Sequence, residues 1–170
     1  PAFRKVANSD LLAVMRRDEA KVKDYASRHQ IGRWYTDADA LLADPELNAI
    51  YIATPPHVHL HYVARALEAG KMLYVEKPVA LNASEAREMQ ALVQCYGGKL
   101  VVAHYRRANP YFVKIKELVE TGAIGKVSLV GLRMYQKALT PEELQVPKIR
   151  WRVDPAVSGG GLFHDLAPHQ

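Results

Sequence analysis

The chain has 170 residues, of which 49% are hydrophobic and 24% are charged, and this composition excludes a disordered or a fibrous protein. The formal net charge is +5, but the basic residues are spread along the chain in no run of five or more, which argues against nucleic-acid binding. No apolar run approaches the roughly 18–20 residues that cross a bilayer, and no secretory leader is visible. The single cysteine, Cys95, excludes an intramolecular disulfide, and we expect a cytoplasmic protein that binds no membrane. Because the chain opens at Pro1 in mid-pattern, we expect the working protein to be longer.

Short apolar runs alternate with helical patterns over the first hundred residues. The patterns predict strands at 11–15, 32–35, 49–53, 72–75 and 100–103, and helices at 18–29, 36–42, 57–69 and 82–95. Asn82, with Glu85 three residues later, forms a variant of the capping box that begins a helix. Strand and helix at this spacing imply parallel strands joined by right-handed crossovers. The sequence therefore predicts a doubly wound parallel α/β sheet.

The pattern changes after Tyr105. A helix is predicted at 110–121, and the alternation at 126–135 predicts a strand with one solvated face. Three prolines and no clear period predict a loop at 136–157, before the glycines at 159–161 and a helical tail. Residues 105–170 hold too little apolar material to close a core, so we expect one domain at 1–104 and the beginning of a second at 105–170.

Four motifs follow one another along the chain: A-T-P-P-H-V-H at 53–59, A-L-E-A-G-K-M-L-Y-V-E-K-P at 66–78, W-R-V-D-P at 151–155 and G-G-G-L-F-H-D-L-A-P-H at 159–169. Together they resemble the Gfo/Idh/MocA family of nicotinamide-dependent oxidoreductases. The resemblance implies a Rossmann domain, then an α/β domain with a large, mostly antiparallel sheet, and association into a homo-oligomer. The family's first strand and its G-x-G-x-x-G turn are absent from the sequence, so we expect an internal fragment of a family member.

Three residues are candidates for catalysis and for binding the substrate: Lys77, Asp165 and His169. A lysine at the carboxyl end of a strand can stabilise a developing alkoxide. An aspartate and a histidine four residues apart share one helix face, where the carboxylate makes the imidazole a better general base. The resemblance implies these roles. The alternatives are a surface lysine, a helical ion pair, and a metal site of His164, Asp165 and His169, which lacks a full ligand set; we expect no metal.

Cofactor contacts are expected just after the strands. The resemblance places Arg16 where NAD-using members carry an aspartate, and Arg16 and Arg17 could grip a 2′-phosphate, which favours NADP over NAD. The alternative is two solvated arginines beside Asp18 and Glu19. By resemblance, the remaining contacts are Thr54, Pro55, His59, Glu76 and Lys77. The glycines at 159–161 are expected to let the backbone approach the substrate or the nicotinamide.

The alternating histidines His57, His59 and His61 suggest a metal motif, but they begin a helix on which only the first and third share a face. A structural role fits all three better than metal binding does. Arg106, Trp151 and Arg152 are expected where the two domains face each other, and with Arg107 they either bind substrate hydroxyls or pack the interface.

These residues predict an enzyme that moves a hydride between NADP, or NAD, and a carbinol carbon of a sugar or cyclic polyol. The alternatives are a non-catalytic dinucleotide-binding regulator and another reaction on the same scaffold.

Overall fold

Five strands, each parallel to its neighbour, nine α-helices and four short 3₁₀ helices make up the regular structure of residues 2–169, the part of the chain that the computed structural model describes. The strands are β1 Ala13–Met15, β2 Arg33–Tyr35, β3 Ala49–Ile52, β4 Met72–Val75 and β5 Leu100–Val102. The helices are α1 Glu19–Arg28, α2 Ala38–Leu42, α3 His59–Glu68, α4 Ala83–Cys95, α5 Pro110–Glu120, α6 Pro141–Gln145, α7 Pro147–Val153, α8 Pro155–Ser158 and α9 Gly161–Leu166. The predicted parallel sheet with helical crossovers is confirmed.

The strands form two hydrogen-bonded groups, one of β1 with β2 and one in the order β3-β4-β5. In the second group Ile52 pairs with Val75 and Val75 pairs with Val102, so the carboxyl ends of the three strands lie at one edge. Turns that are distant in sequence therefore meet at this edge, which is where open α/β sheets bind their ligands.

The main core lies between the β3-β4-β5 sheet and helices α3 and α4. Val63, Ala66 and Leu67 recur at helical spacing and give α3 a buried face. Val75, with no exposed surface, and Ile52 alternate with outward residues along their strands and supply the sheet side. Burial of this face fixes the strand ends that follow β3 and β4.

Side chains at the predicted positions begin several of these helices. Asp18 caps α1 by accepting a hydrogen bond from the Lys21 amide at 3.0 Å. Asn82 caps α4 in the same way through the Glu85 amide at 3.0 Å. The Glu85 carboxylate accepts from the Leu81 amide at 3.0 Å, so the box closes one residue upstream of its usual position.

The predicted loop at 136–157 is wrong, because this stretch forms α6, α7 and α8. Each of the three helices begins with a proline at its first position, Pro141, Pro147 and Pro155. A proline is tolerated there, since the first helical amide has no partner within the helix. Thr140 and Glu143 also form a complete capping box, with hydrogen bonds in both directions.

The predicted strand at 126–135 does not form, and these residues have no regular secondary structure. Their apolar side chains are exposed, with Leu129 and Tyr135 both at 88%. An alternating segment becomes a strand only beside another strand that pairs with its amides and carbonyls. Within residues 2–169 there is no antiparallel pairing. No helix in this part of the chain is long and apolar enough to cross a membrane.

Candidate active site

Lys77 stands at the centre of the strand-end edge, two residues after β4 and directly before a cis peptide bond to Pro78. Its ammonium Nζ lies 2.6 Å from Oδ1 of Asp165 and donates a second hydrogen bond to the Asp165 carbonyl at 2.8 Å. The two side chains are only 13% and 15% exposed. The structure therefore brings together two of the predicted catalytic residues, which are 88 positions apart.

Asp165 also contacts a second cation, because Nε of Arg152 lies 3.5 Å from its other carboxylate oxygen. Arg152 is held by its neighbours: one Nη donates to the Lys148 carbonyl at 2.6 Å, and the guanidinium carbon lies 4.5 Å from the Trp151 ring centroid. The carboxylate thus sits between Lys77 and Arg152. Ion pairs with little solvent contact interact more strongly than exposed ones, so this arrangement fixes the ammonium of Lys77 in position.

Both carboxylate oxygens of Glu76 accept hydrogen bonds. The Tyr51 hydroxyl donates to Oε1, and the Lys77 amide donates to Oε2 at 3.1 Å. Burial, together with this hydrogen bond and the negative charge of Glu76, raises the pKa of Tyr51 well above its usual range. Tyr51 therefore stays protonated and acts as a donor, which holds the turn that carries Lys77 against β3.

His59 joins the two turns that follow β3 and β4. It has no exposed surface, and its ring nitrogens lie 2.7 Å from the Thr54 carbonyl and 3.0 Å from the Val79 carbonyl. Both ring nitrogens face backbone oxygens, which fits the predicted structural role, and a contact of His59 with the cofactor stays a prediction. His57 and His61 are exposed on the surface.

The hydroxyl of Thr54 is buried and, unlike the ring nitrogens of His59, lacks a hydrogen-bond partner among the described residues. It lies in the turn after β3, with Pro55 next to it, at the same edge as Lys77. An unpaired buried hydroxyl is costly, and a ligand that hydrogen-bonds to it would relieve that cost.

The turn at Gly159 packs closely against the loop after β4. A Cβ at this position would lie 2.6 Å from the Leu81 carbonyl oxygen and 2.9 Å from the His164 ring, and φ is +89°. The close approach that requires glycine is thus to Leu81 and His164. The same contact docks α9, which carries Asp165, beside Lys77.

Arg16 and Arg17 are exposed directly after β1, where the Arg16 amide donates to the Tyr35 carbonyl at 3.1 Å. Their acidic neighbours are occupied: the Asp18 carboxylate accepts from the Lys21 ammonium at 2.5 Å, and Glu19 pairs with Lys23 at 2.6 Å. The hydrogen bond from Lys21 is the main cause that lowers the pKa of Asp18. The two guanidinium groups therefore face solvent beside carboxylates that are already paired.

Comparison with known proteins identifies the family of the chain. Residues 1–104 match the model of an oxidoreductase family with an NAD-binding Rossmann fold, and residues 112–170 match the model of the GFO/IDH/MocA C-terminal domain. The chain belongs to the Gfo/Idh/MocA family.

Three relatives illustrate this membership. Oxidoreductase P35 of Formosa agariphila is 47% identical over 100% of this chain and 53% of its own length. Inositol 2-dehydrogenase of Rhizobium meliloti is 30% identical over 77% of this chain and 36% of its own length. A solved structure from Desulfitobacterium hafniense, assigned as an NADPH-dependent oxidoreductase, has a TM-score of 0.80 at 25% identity and covers 99% of this chain and 47% of its own. The chain spans about half the length of the curated relatives it matches.

The remaining predicted site residues of this Gfo/Idh/MocA chain lie apart from the contact between Lys77 and Asp165 or outside the described side chains. His169 ends the last helical turn, and its side chain lies outside the described residues, so its pairing with Asp165 stays a prediction. Arg106 packs on Phe112, with 5.5 Å from its guanidinium carbon to the ring centroid, and Arg107 is exposed. The metal alternative is weakened, because His164 is 3.1 Å from the Ala80 carbonyl and Asp165 is held by two cations.

Two residues of the site were missed by sequence reasoning. The strand predicted at 49–53 includes Tyr51 without assigning it a role in the site. In the structure Tyr51 pairs with Tyr74 of β4, which lies two residues before Glu76. For His164 the sequence suggests only the metal alternative. The available signal is its position directly before Asp165 and three residues after the glycines at 159–161.

Proposed function

We propose that this Gfo/Idh/MocA member transfers a hydride between a nicotinamide cofactor and a carbinol carbon of a sugar or cyclic polyol. The observation that carries the proposal is the contact between Lys77 and Asp165, two mostly buried and opposite charges at the carboxyl edge of the sheet. A relative that is 30% identical is named inositol 2-dehydrogenase, which supports a polyhydroxylated substrate.

The strand-end turns fit the nicotinamide end of such a cofactor. The unpaired hydroxyl of Thr54 is a buried hydrogen-bonding group at this edge, and Thr54 and Pro55 would hold the cofactor there. When bound, the nicotinamide accepts or supplies the hydride.

The chain's own residues manage the oxygen and the proton of the substrate. In oxidation, the Lys77 ammonium donates a hydrogen bond to the carbinol oxygen and stabilises the negative charge that develops on it. Asp165 holds the ammonium in position through the 2.6 Å contact. His169 takes the hydroxyl proton in this proposal, as the family resemblance implies. Reduction returns the proton by the same route.

We propose NADP as the preferred cofactor. A 2′-phosphate carries negative charge that a guanidinium binds in a bidentate manner. Arg16 and Arg17 offer two such groups after β1, and the pairing of Asp18 with Lys21 and of Glu19 with Lys23 reduces the repulsion that these carboxylates would exert on a phosphate.

The test uses the protein expressed from its complete reading frame. Oxidation of NADPH and NADH is followed with a panel of ketoses and inosose-type ketones, and the reverse reaction with sugars and inositols. Lys77→Ala is expected still to bind NADPH but to lose turnover by about 100-fold to 1,000-fold, because the oxygen loses its charged donor. Lys126→Ala is the matched control, since Lys126 is exposed, and it should behave as wild type.

Wild-type turnover in Lys77→Ala would contradict the catalytic assignment. NADPH binding without turnover on any compound of the panel would favour the regulator alternative instead. Equal kcat/KM for NADPH and NADH would contradict only the proposed preference for NADP.

A further inference from the structure

The side chain of His164 is not used by the proposed reaction, yet it makes a specific contact across the site. Its Nε2 lies 3.1 Å from the carbonyl oxygen of Ala80, which is 84 positions earlier in the chain. A carbonyl oxygen only accepts, so Nε2 carries the hydrogen and donates it. The ring is half-buried, whereas the neighbouring Phe163 on the same short helix is 83% exposed.

The backbone around the ring is shaped to receive it. A Cβ on Gly159 would lie 2.9 Å from ring atoms of His164, and a Cβ on Gly160 would lie 2.9 Å from the His164 Cβ. Ser158, 1% exposed, fixes the turn by accepting a hydrogen bond from the Gly161 amide at 2.8 Å. The glycine turn thus closes on one side of the imidazole while the Ala80 carbonyl accepts its hydrogen.

The His164 contact and the Lys77–Asp165 contact join the same two short segments. Ala80 follows Lys77 by three residues, and His164 directly precedes Asp165. The helix that carries both His164 and Asp165 has six residues, so its own hydrogen bonds give it little independent stability. Its position on the loop after β4 therefore depends on contacts such as the one to Ala80.

We propose that His164 is a positioning residue, which fixes α9 on the loop after β4 and so holds the Asp165 carboxylate at the Lys77 ammonium. The inference rests on the proposed function only for its effect on turnover. The ion pair between Lys77 and Asp165 can be measured independently of enzymatic turnover.

The first experiment measures the acetylation rate of Lys77 by mass spectrometry, in the protein expressed from its complete reading frame. An ammonium paired with a carboxylate is acetylated slowly. His164→Leu fills a similar volume without a donor, and it should raise the rate at Lys77 about fivefold, the factor expected from one lost hydrogen bond. His164→Gln carries an N–H at the same number of bonds from the backbone, and it should restore the slow rate. Lys126 serves as the internal control and should not change in any variant.

The second experiment measures kcat and the KM values in a double-mutant cycle with Asp165→Asn. We expect His164→Leu to lower kcat about fivefold with the cofactor KM unchanged, and to have little further effect once Asp165 is replaced. His164→Gln should recover most of kcat.

An unchanged acetylation rate at Lys77 in folded His164→Leu would overturn the inference, as would equal losses of kcat in the presence and absence of Asp165. If His164→Leu does not fold, a fast rate at Lys77 in folded His164→Gln would also overturn it. A wild-type protein with slow Lys77 acetylation and no turnover would contradict the proposed function alone.

Discussion

Replacing Gly159 with alanine tests how the candidate site is held together. The residue has φ +89°, a left-handed conformation that costs an L-residue about 1–2 kcal/mol. The new Cβ would also lie 2.6 Å from the Leu81 carbonyl oxygen, a backbone atom that cannot move aside as a flexible side chain can. Overpacking of this kind costs about 1–3 kcal/mol. We therefore expect the variant to weaken docking of α8 and α9 by about 2–5 kcal/mol.

Gly122 provides a matched control, because it separates the two costs. Its φ is +69°, and a Cβ added there would meet nothing within 4 Å. Gly122→Ala should therefore cost only the backbone term of about 1–2 kcal/mol at the end of α5. The difference between the two variants measures the close approach to Leu81 and His164.

Hydrogen exchange followed by mass spectrometry gives the assay, since it reports local opening of each segment separately. In Gly159→Ala, peptides that cover 155–166 should lose protection by roughly thirtyfold or more, because 1.4 kcal/mol corresponds to a factor of ten. In Gly122→Ala, peptides that cover 116–125 should lose protection by roughly tenfold. Equal losses in the two variants would refute the reasoning, since no cost would remain for the contact with Leu81.

Three other variants test individual residues. Burial alone would raise the pKa of Asp44, but hydrogen bonds from the Glu46 amide and the Tyr35 hydroxyl and the charge of Arg33 outweigh it and hold the pKa below its usual 3.8. The resulting stability is present above about pH 3.8 and is lost below it, so Asp44→Asn should flatten the fall in Tm between pH 5 and 3. An unchanged slope of Tm against pH would contradict this. His59→Leu removes the contacts of the ring with the Thr54 and Val79 carbonyls, one of which accepts its N–H, and should lower the free energy of unfolding by about 1–3 kcal/mol in urea titrations. A loss below about 0.5 kcal/mol would show that the ring does not join the turns. Arg16→Asp should shift the kcat/KM ratio from NADPH toward NADH by about tenfold to a hundredfold, and an unchanged ratio would remove Arg16 from the cofactor site.

The first half of the fold was predictable because its signals are local. The run at 49–52 is apolar, contains two β-branched isoleucines and is followed by the turn at Thr54-Pro55, and Asp18 and Asn82 stand directly before helical periods. Each signal acts within a few residues, and the tertiary contacts of the folded chain are consistent with the local structure that it favours. The predicted helix at 57–69 becomes a 3₁₀ turn at Pro56–Val58 followed by α3, because Pro56 occupies the first position.

The second half was less predictable for two physical reasons. The prolines at 141, 147 and 155 predict a loop if they are taken as helix breakers, but a proline at the first position of a helix is compatible with that helix. Thr140, with Glu143 three residues later, is the sequence signal that a helix begins here. The alternation at 126–135 describes one surface of a strand but does not supply the neighbouring strand that its backbone needs.

The candidate site was predictable as a set of residues but not as a set of contacts. Family motifs single out Lys77 and Asp165, and the spacing of Asp165 and His169 suggests their pairing. That Asp165 contacts Lys77 and Arg152 depends on how α9 docks, which no spacing within one helix can reveal. The same is true of His59, whose two carbonyl partners lie in different turns.

The contact between Lys77 and Asp165 also has a consequence for the order of events during synthesis. The two residues are 88 positions apart, so at about 5–20 residues per second the ribosome adds the carboxylate roughly 4–18 s after the ammonium. During that interval β4 and its turn are already in the growing chain, but the carboxylate that pairs with Lys77 in the folded protein has not yet been added. A polypeptide that is released or cleaved before residue 165 would therefore keep the nucleotide-binding half of the site without the charge that orients its lysine.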